Sequence, residues 1–293
     1  MRALSDNMRG ALLMMGSMAA FVFNDACMKV VLEDLPLFQA ILLRGLATVF
    51  FMVLVARWLG GLDFRLPRRD WVLVALRTLA DVGATYFFIT ALREMPIANI
   101  TAILQVLPLT VTLTGAMLFG EPLGWRRLVA IMIGFIGVMI IVRPGVDGFN
   151  SYAFYALIAV AFVTVRDLCA RRLSTGVSSV TIALIGAVGV VTFAAIGAVG
   201  GEWAPVSGKS AALLAGATFF IIGGYLFSVM TMRLGEIGFI APFRYTSLLW
   251  ALLLGFVVFG DWPDALTMMG IAVVVAMGAF TFYRERAIAR NRS

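Results

Sequence analysis

Seven ionisable residues stand inside segments that are otherwise apolar: Asp25, Arg44, Arg77, Asp81, Arg166, Asp167 and Arg244. A charge at the centre of a bilayer costs ~2.5–3.5 kcal/mol even on lenient scales, so each must be paired, face a wet interior, or both. Arg77 and Asp81 are spaced i,i+4 and share one helix face. They can neutralise each other, or serve as a hydrogen-bonding platform on a cavity wall. Arg166 and Asp167 are neighbours, about 100° apart around a helix, and are expected to need separate partners. Arg166 lies near a segment end and can snorkel to the membrane surface. Arg244 sits in APFRYTS, two residues after Pro242 and beside Tyr245 and Thr246. Proline frees backbone carbonyls, which are tolerated at membrane depth only where they face protein or a wet cavity. A guanidinium beside a phenol and a hydroxyl suits a carboxylate, a phosphate, or the carbonyl edge of a planar heterocycle. The alternative is that Arg244 neutralises Asp25 or Asp81.

The segments that hold these residues follow from composition. The chain has 293 residues, is 62% hydrophobic and 13% charged, and has a mean hydropathy of +1.00. A soluble domain carries nearly twice that charge. Apolar runs of about 20 residues, enough to cross a bilayer, recur along almost the whole sequence. Ten spans are read at 10–31, 36–57, 71–92, 97–119, 126–143, 151–171, 177–200, 210–232, 238–259 and 264–283. The first is too long for a signal h-region and is expected to be retained. With the N-terminus inside, fifteen Lys and Arg side chains gather on the cytoplasmic side and four on the other, so both termini are expected to be cytoplasmic. The net charge of +7 then reads as topogenic charge in loops, and nucleic acid is excluded as a partner.

An internal repeat organises the spans. Residues 99–121, NITAILQVLPLTVTLTGAMLFGE, align without a gap on 239–261, FIAPFRYTSLLWALLLGFVVFGD, at an offset of 140. At an offset of 142, Asp25, Cys27 and Lys29 meet Asp167, Cys169 and Arg171. Arg44 meets Gly186, Arg244 meets Leu104, and Gln105 meets Tyr245. Each half holds five spans, an odd number, so the second half enters from the opposite face. The fold class expected is therefore all-α polytopic, ten transmembrane helices as two inverted five-helix repeats, 1–147 and 148–293. Inverted repeats of this kind usually enclose a midplane site that opens to either side.

The chain resembles the drug/metabolite transporter superfamily, in the ten-helix group built from two EamA-type halves. The residues that carry the resemblance are Arg44, ALREMPIANITAI, LFGEP at 118–122 and GFIAPFRYTSLLWALLLGFVVFGDWP at 238–263. It implies a bacterial-type inner-membrane carrier with a central cavity lined largely by the first, third, fourth, sixth, eighth and ninth helices. It also implies a structural role for Arg44, at a position where arginine is common in that family. SDNMRGALLMMGSMAAFVFND is similar to a branch described as riboflavin or S-adenosylmethionine uptake.

The function expected is a secondary transporter of a small organic metabolite working by alternating access, with riboflavin uptake leading through the resemblance. An amino-acid or S-adenosylmethionine carrier of the same superfamily is the alternative. The solute-binding residues expected are Arg244, Tyr245, Asp25, Asn24, Asp81, Arg77, Tyr86 and Gln105. The chain has no histidine, so a proton relay has to use carboxylates. Asp25 and Asp167, matched in the repeat, are assigned to coupling or gating. Tyr86 and Phe87 beyond Asp81, and Phe243 and Tyr245 around Arg244, suit a flat amphipathic solute, although packing is the ordinary fate of such rings. Partners are that solute and the bilayer, with a second copy of the chain as a candidate. No cofactor or metal is expected: the two cysteines, Cys27 and Cys169, lie within spans and read as inert thiols. An intramembrane enzyme would need an activated nucleophile, a metal site or a phosphate-binding loop, and none of those motifs occurs. A channel gains little from two gates.

Overall fold

The chain is an all-α multi-pass membrane protein. Its computed structural model describes residues 6–58, 62, 64–120, 124–143, 150–174, 178–231 and 240–290. Among them are eleven α-helices and no strand. These are α1 (Asp6–Asp34), α2 (Leu37–Trp58), α3 (Arg68–Glu94), α4 (Ile97–Leu104), α5 (Leu107–Phe119), α6 (Trp125–Val142), α7 (Tyr152–Arg172), α8 (Ser179–Ala198), α9 (Gly208–Thr231), α10 (Thr246–Phe259) and α11 (Ala265–Arg290). Eight stretches are long and apolar enough to cross a bilayer, and two shorter ones, Leu128–Val142 and Ala265–Thr281, complete the ten expected from the sequence.

The fourth span, read from the sequence as unbroken, is two helices. The ring of Pro108 removes the N–H that would bond the Leu104 carbonyl and crowds that carbonyl as well. The chain responds by tightening: Gln105 N–H bonds Ala102 O at 3.1 Å and Val106 N–H bonds Ile103 O at 3.2 Å. It then restarts as α5, with Pro108 in the first turn, where a missing donor costs nothing. The ninth span breaks too, through a 3₁₀ turn at Ala241–Tyr245 that contains Pro242. Gln105 and Tyr245 are repeat equivalents, so both breaks fall at one repeat position although the prolines stand on opposite sides of it. Both spans also end alike. Gly120 (φ 66°) and Gly260 (φ 71°) close α5 and α10 in the left-handed conformation that glycine reaches without steric cost.

The described chain forms two compact units. One takes residues 1–23, 95–157 and 223–293, the other 24–94 and 158–222. In the first, α6 packs along α11 and α4 against α10; in the second, α8 packs on α2 and α3. Three of those pairs, α2 with α8, α4 with α10 and α6 with α11, join a span to its own repeat copy. The α6–α11 seam is set by glycine, since a Cβ on Gly270 would lie 2.8 Å from the Gly137 carbonyl oxygen. Side chains there would hold the backbones apart.

Candidate functional site

The intramembrane ionisable residues singled out above that lie in the second unit form two clusters, one for each copy of the Asp-x-Cys-x-base motif. Around Asp167 the cluster holds four charges. On α3, Arg77 Nη1 donates to Asp81 Oδ2 at 3.0 Å, the i,i+4 pair anticipated from spacing. On α7, Arg166 Nη1 donates to the other oxygen of Asp81 at 3.4 Å. Arg166 also bonds its own neighbour: Nε and Nη2 each lie 2.9 Å from Asp167 Oδ1. Two expectations are corrected here. Arg166 and Asp167 do not need separate partners, because a long guanidinium arm can fold back across 100° of helix. Nor does Arg166 simply snorkel, since it turns inward to a carboxylate 85 residues away in sequence. Arg77 Nη1 further reaches the Ile182 carbonyl of α8 at 3.5 Å. Gly186 on the same helix leaves the room: a Cβ there would stand 2.8 Å from Asp81 Oδ2 and 3.1 Å from Arg77 Nη1.

Around Asp25 a neutral group, Asn24, hydrogen-bonds both the carboxylate and a guanidinium. Asn24 Nδ2 donates to Asp25 Oδ1 at 2.9 Å, and Asn24 Oδ1 accepts from Arg44 Nη1 of α2 at 3.3 Å. Asn24 and Arg44 are both buried. Lys29, one turn further along α1, donates to the Leu92 and Arg93 carbonyls at 2.8 and 3.3 Å. A cation at the end of α3 meets the negative pole of that helix.

Aromatic rings continue from the four-charge cluster. Phe162, one turn before Arg166, stacks on Phe87 at 5.7 Å and 16°. Its ring lies over Gly83, where a Cβ would come within 2.7 Å. Phe87 meets Tyr86 edge-on at 5.3 Å, and Tyr86 stacks on Phe38 at 6.2 Å and packs edge-on against Phe193 at 6.0 Å. Phe162, Phe193 and Gly186 were not singled out from the sequence as site residues. The pairing of Gly186 with Arg44 in the repeat was the available signal, because such a swap marks space filled differently in the two copies.

In the first unit, the two broken spans are tied together. Gln105 Nε2 donates to Ser247 Oγ, and Ser247 Oγ donates to the Arg244 carbonyl at 3.0 Å. The Arg244 guanidinium makes no hydrogen bond or ion pair among the described residues and remains partly exposed. Tyr245 turns the other way. It is buried, and its hydroxyl, without a hydrogen-bond partner among the described residues, lies over Gly278 of α11 where any Cβ would collide with it. Each cluster is thus described within its own unit: Asn24, Asp25, Arg44, Arg77, Asp81, Tyr86 and Asp167 in the second, and Gln105, Arg244 and Tyr245 in the first.

Known proteins resemble this chain at low identity. The EamA-like transporter family matches residues 8–143. The chain is 22% identical over 196 residues to a Rickettsia felis protein named S-adenosylmethionine uptake transporter, covering 65% of each chain. It therefore spans somewhat under two thirds of that relative. It is 26% identical over 217 residues to a Vibrio cholerae protein named riboflavin transporter, covering 73% of this chain and 72% of the other. A crystal structure 17% identical in sequence superposes with a TM-score of 0.64, covering 95% of this chain and 98% of its own, a likeness of fold.

Proposed function

With residues 8–143 a domain of the EamA-like transporter family, we propose that the chain is a secondary transporter that moves a small organic metabolite across a bacterial inner membrane by alternating access. The observation that carries this reading is the pair of repeat-equivalent helix breaks, cross-linked by Gln105 and Ser247, with the Arg244 guanidinium beside them and no hydrogen bond or ion pair to it among the described residues. Irregular backbone and an uncompensated cation belong at membrane depth only where they meet water or a ligand. In this reading the two five-span halves, 1–147 and 148–293, are inverted copies with both termini in the cytoplasm. Asp25, bonded by the neutral Asn24, is the carboxylate that takes up a coupling proton. The names carried by the relatives make S-adenosylmethionine and riboflavin the first solutes to assay, and riboflavin remains the lead drawn from sequence resemblance.

Arg244→Ala is expected to abolish uptake while the variant still inserts and accumulates in the membrane. The assay is accumulation of labelled riboflavin and labelled S-adenosylmethionine by a strain able to import neither. Normal uptake by a well-expressed Arg244→Ala protein would remove Arg244 from the site.

A further inference from the structure

Arg77 and Arg166 come from different helices and grip different oxygens of one carboxylate, at 3.0 and 3.4 Å. Two guanidinia converging in this way are how a protein commonly holds a carboxylate ligand; here the carboxylate is the protein's own Asp81. The seat has been given room, because Gly186 supplies no side chain where a Cβ would press on both Asp81 and Arg77. Arg77 also keeps a buried Nε–H that no acceptor among the described residues meets, so the seat has a donor to spare.

Resting on the transporter reading above, we propose that Arg77 and Arg166 form an anion seat which Asp81 fills in the resting protein. The carboxylate of a zwitterionic solute takes that seat during transport, and the displaced Asp81 receives the solute's ammonium group. The charge count selects the zwitterion. Arg77, Arg166, Asp81 and Asp167 sum to zero, and a simple anion would leave one uncompensated negative charge at membrane depth. A head group that brings both signs leaves the sum unchanged at every stage of the exchange. The body of the solute is apolar or planar, because Phe162, one helical turn from Arg166, stacks on Phe87. The solute class is therefore an amino-acid-like head on a planar or apolar body, which disfavours a neutral flat compound such as riboflavin.

The test uses the full-length protein in nanodiscs and equilibrium binding of three probes: S-adenosylhomocysteine, a thioether whose only charges are those of its amino-acid head, tryptophan, and 5′-methylthioadenosine, which keeps the nucleoside and lacks that head. The head group is expected to raise affinity by about tenfold or more, the scale of a charge-assisted contact. Arg166→Gln is expected to shrink that preference to within about twofold to threefold while 5′-methylthioadenosine binding stays as it was. Equal binding of S-adenosylhomocysteine and 5′-methylthioadenosine by the unaltered protein overturns the seat and needs no variant to do so. Binding of neither zwitterion overturns it as well. Accumulation in vesicles is measured alongside and tests the other claim. Head-selective binding without accumulation of any probe leaves the seat standing and removes the transporter reading, whereas accumulation without head selectivity does the reverse.

Discussion

Asp25 and Asp167 occupy the same place in two copies of one helix, yet their surroundings differ. In each copy the preceding residue bonds the aspartate at 2.9 Å and also reaches a second helix. In the first copy that residue is Asn24, whose neutral amide stands between Asp25 and Arg44. In the second it is Arg166, which draws in Asp81 and through it Arg77. One position thus decides between a single amide bridge and a four-charge network. The next helix answers in kind: Arg44 fills the space in the first copy, and Gly186 vacates it for the Arg77–Asp81 pair in the second. The repeat supplies the frame, and the chemistry lies where the copies disagree.

The sharpest way to break this contrast is to remove one acid from each side. Asp81→Ala removes the carboxylate that both the Arg77 and the Arg166 guanidinium hold, and breaking a buried pair in this manner costs about 3–5 kcal/mol. Asp25→Ala removes one hydrogen bond, from the neutral Asn24 amide, together with a carboxylate that interacts with the buried Arg44, and is expected to cost about 1–3 kcal/mol. Thermal unfolding of the detergent-solubilised variants should rank Asp81→Ala well below Asp25→Ala. Equal losses would mean that the two neighbourhoods are energetically alike despite their geometry.

A smaller change reaches the same contrast through space instead of charge. Gly186→Ala places a methyl group 2.8 Å from Asp81 Oδ2 and 3.1 Å from Arg77 Nη1, both side chains held by further bonds. Overpacking of this kind costs about 1–3 kcal/mol. The check is the unfolding midpoint of Gly186→Ala in the Asp81→Ala background. There the carboxylate is gone, and the penalty should largely disappear; an undiminished penalty would place the strain elsewhere.

Much of the frame was legible beforehand, and particular residues say why. The ten spans follow from runs of apolar residues, a local property. The matched Asp25 and Asp167 follow from self-comparison of the sequence. The break after Leu104 was hidden because a single polar residue, Gln105, interrupts an otherwise apolar run, and Pro108 stands where proline is also compatible with an ordinary helix start. The partnership of Asp81 with Arg166 was out of reach, since spacing along one helix says nothing about a side chain arriving from another. The same limit applies to Tyr245. It reads as a neighbour of Arg244 in APFRYTS, whereas its orientation depends on Gly278, a residue on another helix that admits its ring.

The smallest expected effect comes from an ion pair outside the spans, and it isolates burial as the cause of the larger ones. Asp264, just before α11, accepts hydrogen bonds from the Arg143 guanidinium and from the Thr267 amide at 2.8 Å. The Arg143 hydrogen bond chiefly, and the Thr267 amide after it, hold its carboxyl well below the usual carboxylate range. A carboxyl lowered in the folded state contributes stability that is present above its unfolded pKa, about 3.9, and is lost as pH falls below that value. Asp264 is 59% exposed, however, so solvent screening keeps the contribution under about 1 kcal/mol. Asp264→Asn keeps a residue suited to the start of a helix while deleting the charge. Unfolding followed from pH 7 to pH 3 should show a small deficit for Asp264→Asn at pH 7 that narrows as the pH falls below about 4. A deficit as large as that of Asp81→Ala would show that a charge pair of this geometry is worth as much in water as inside the bundle, and burial would lose its place as the reason the two aspartate neighbourhoods differ.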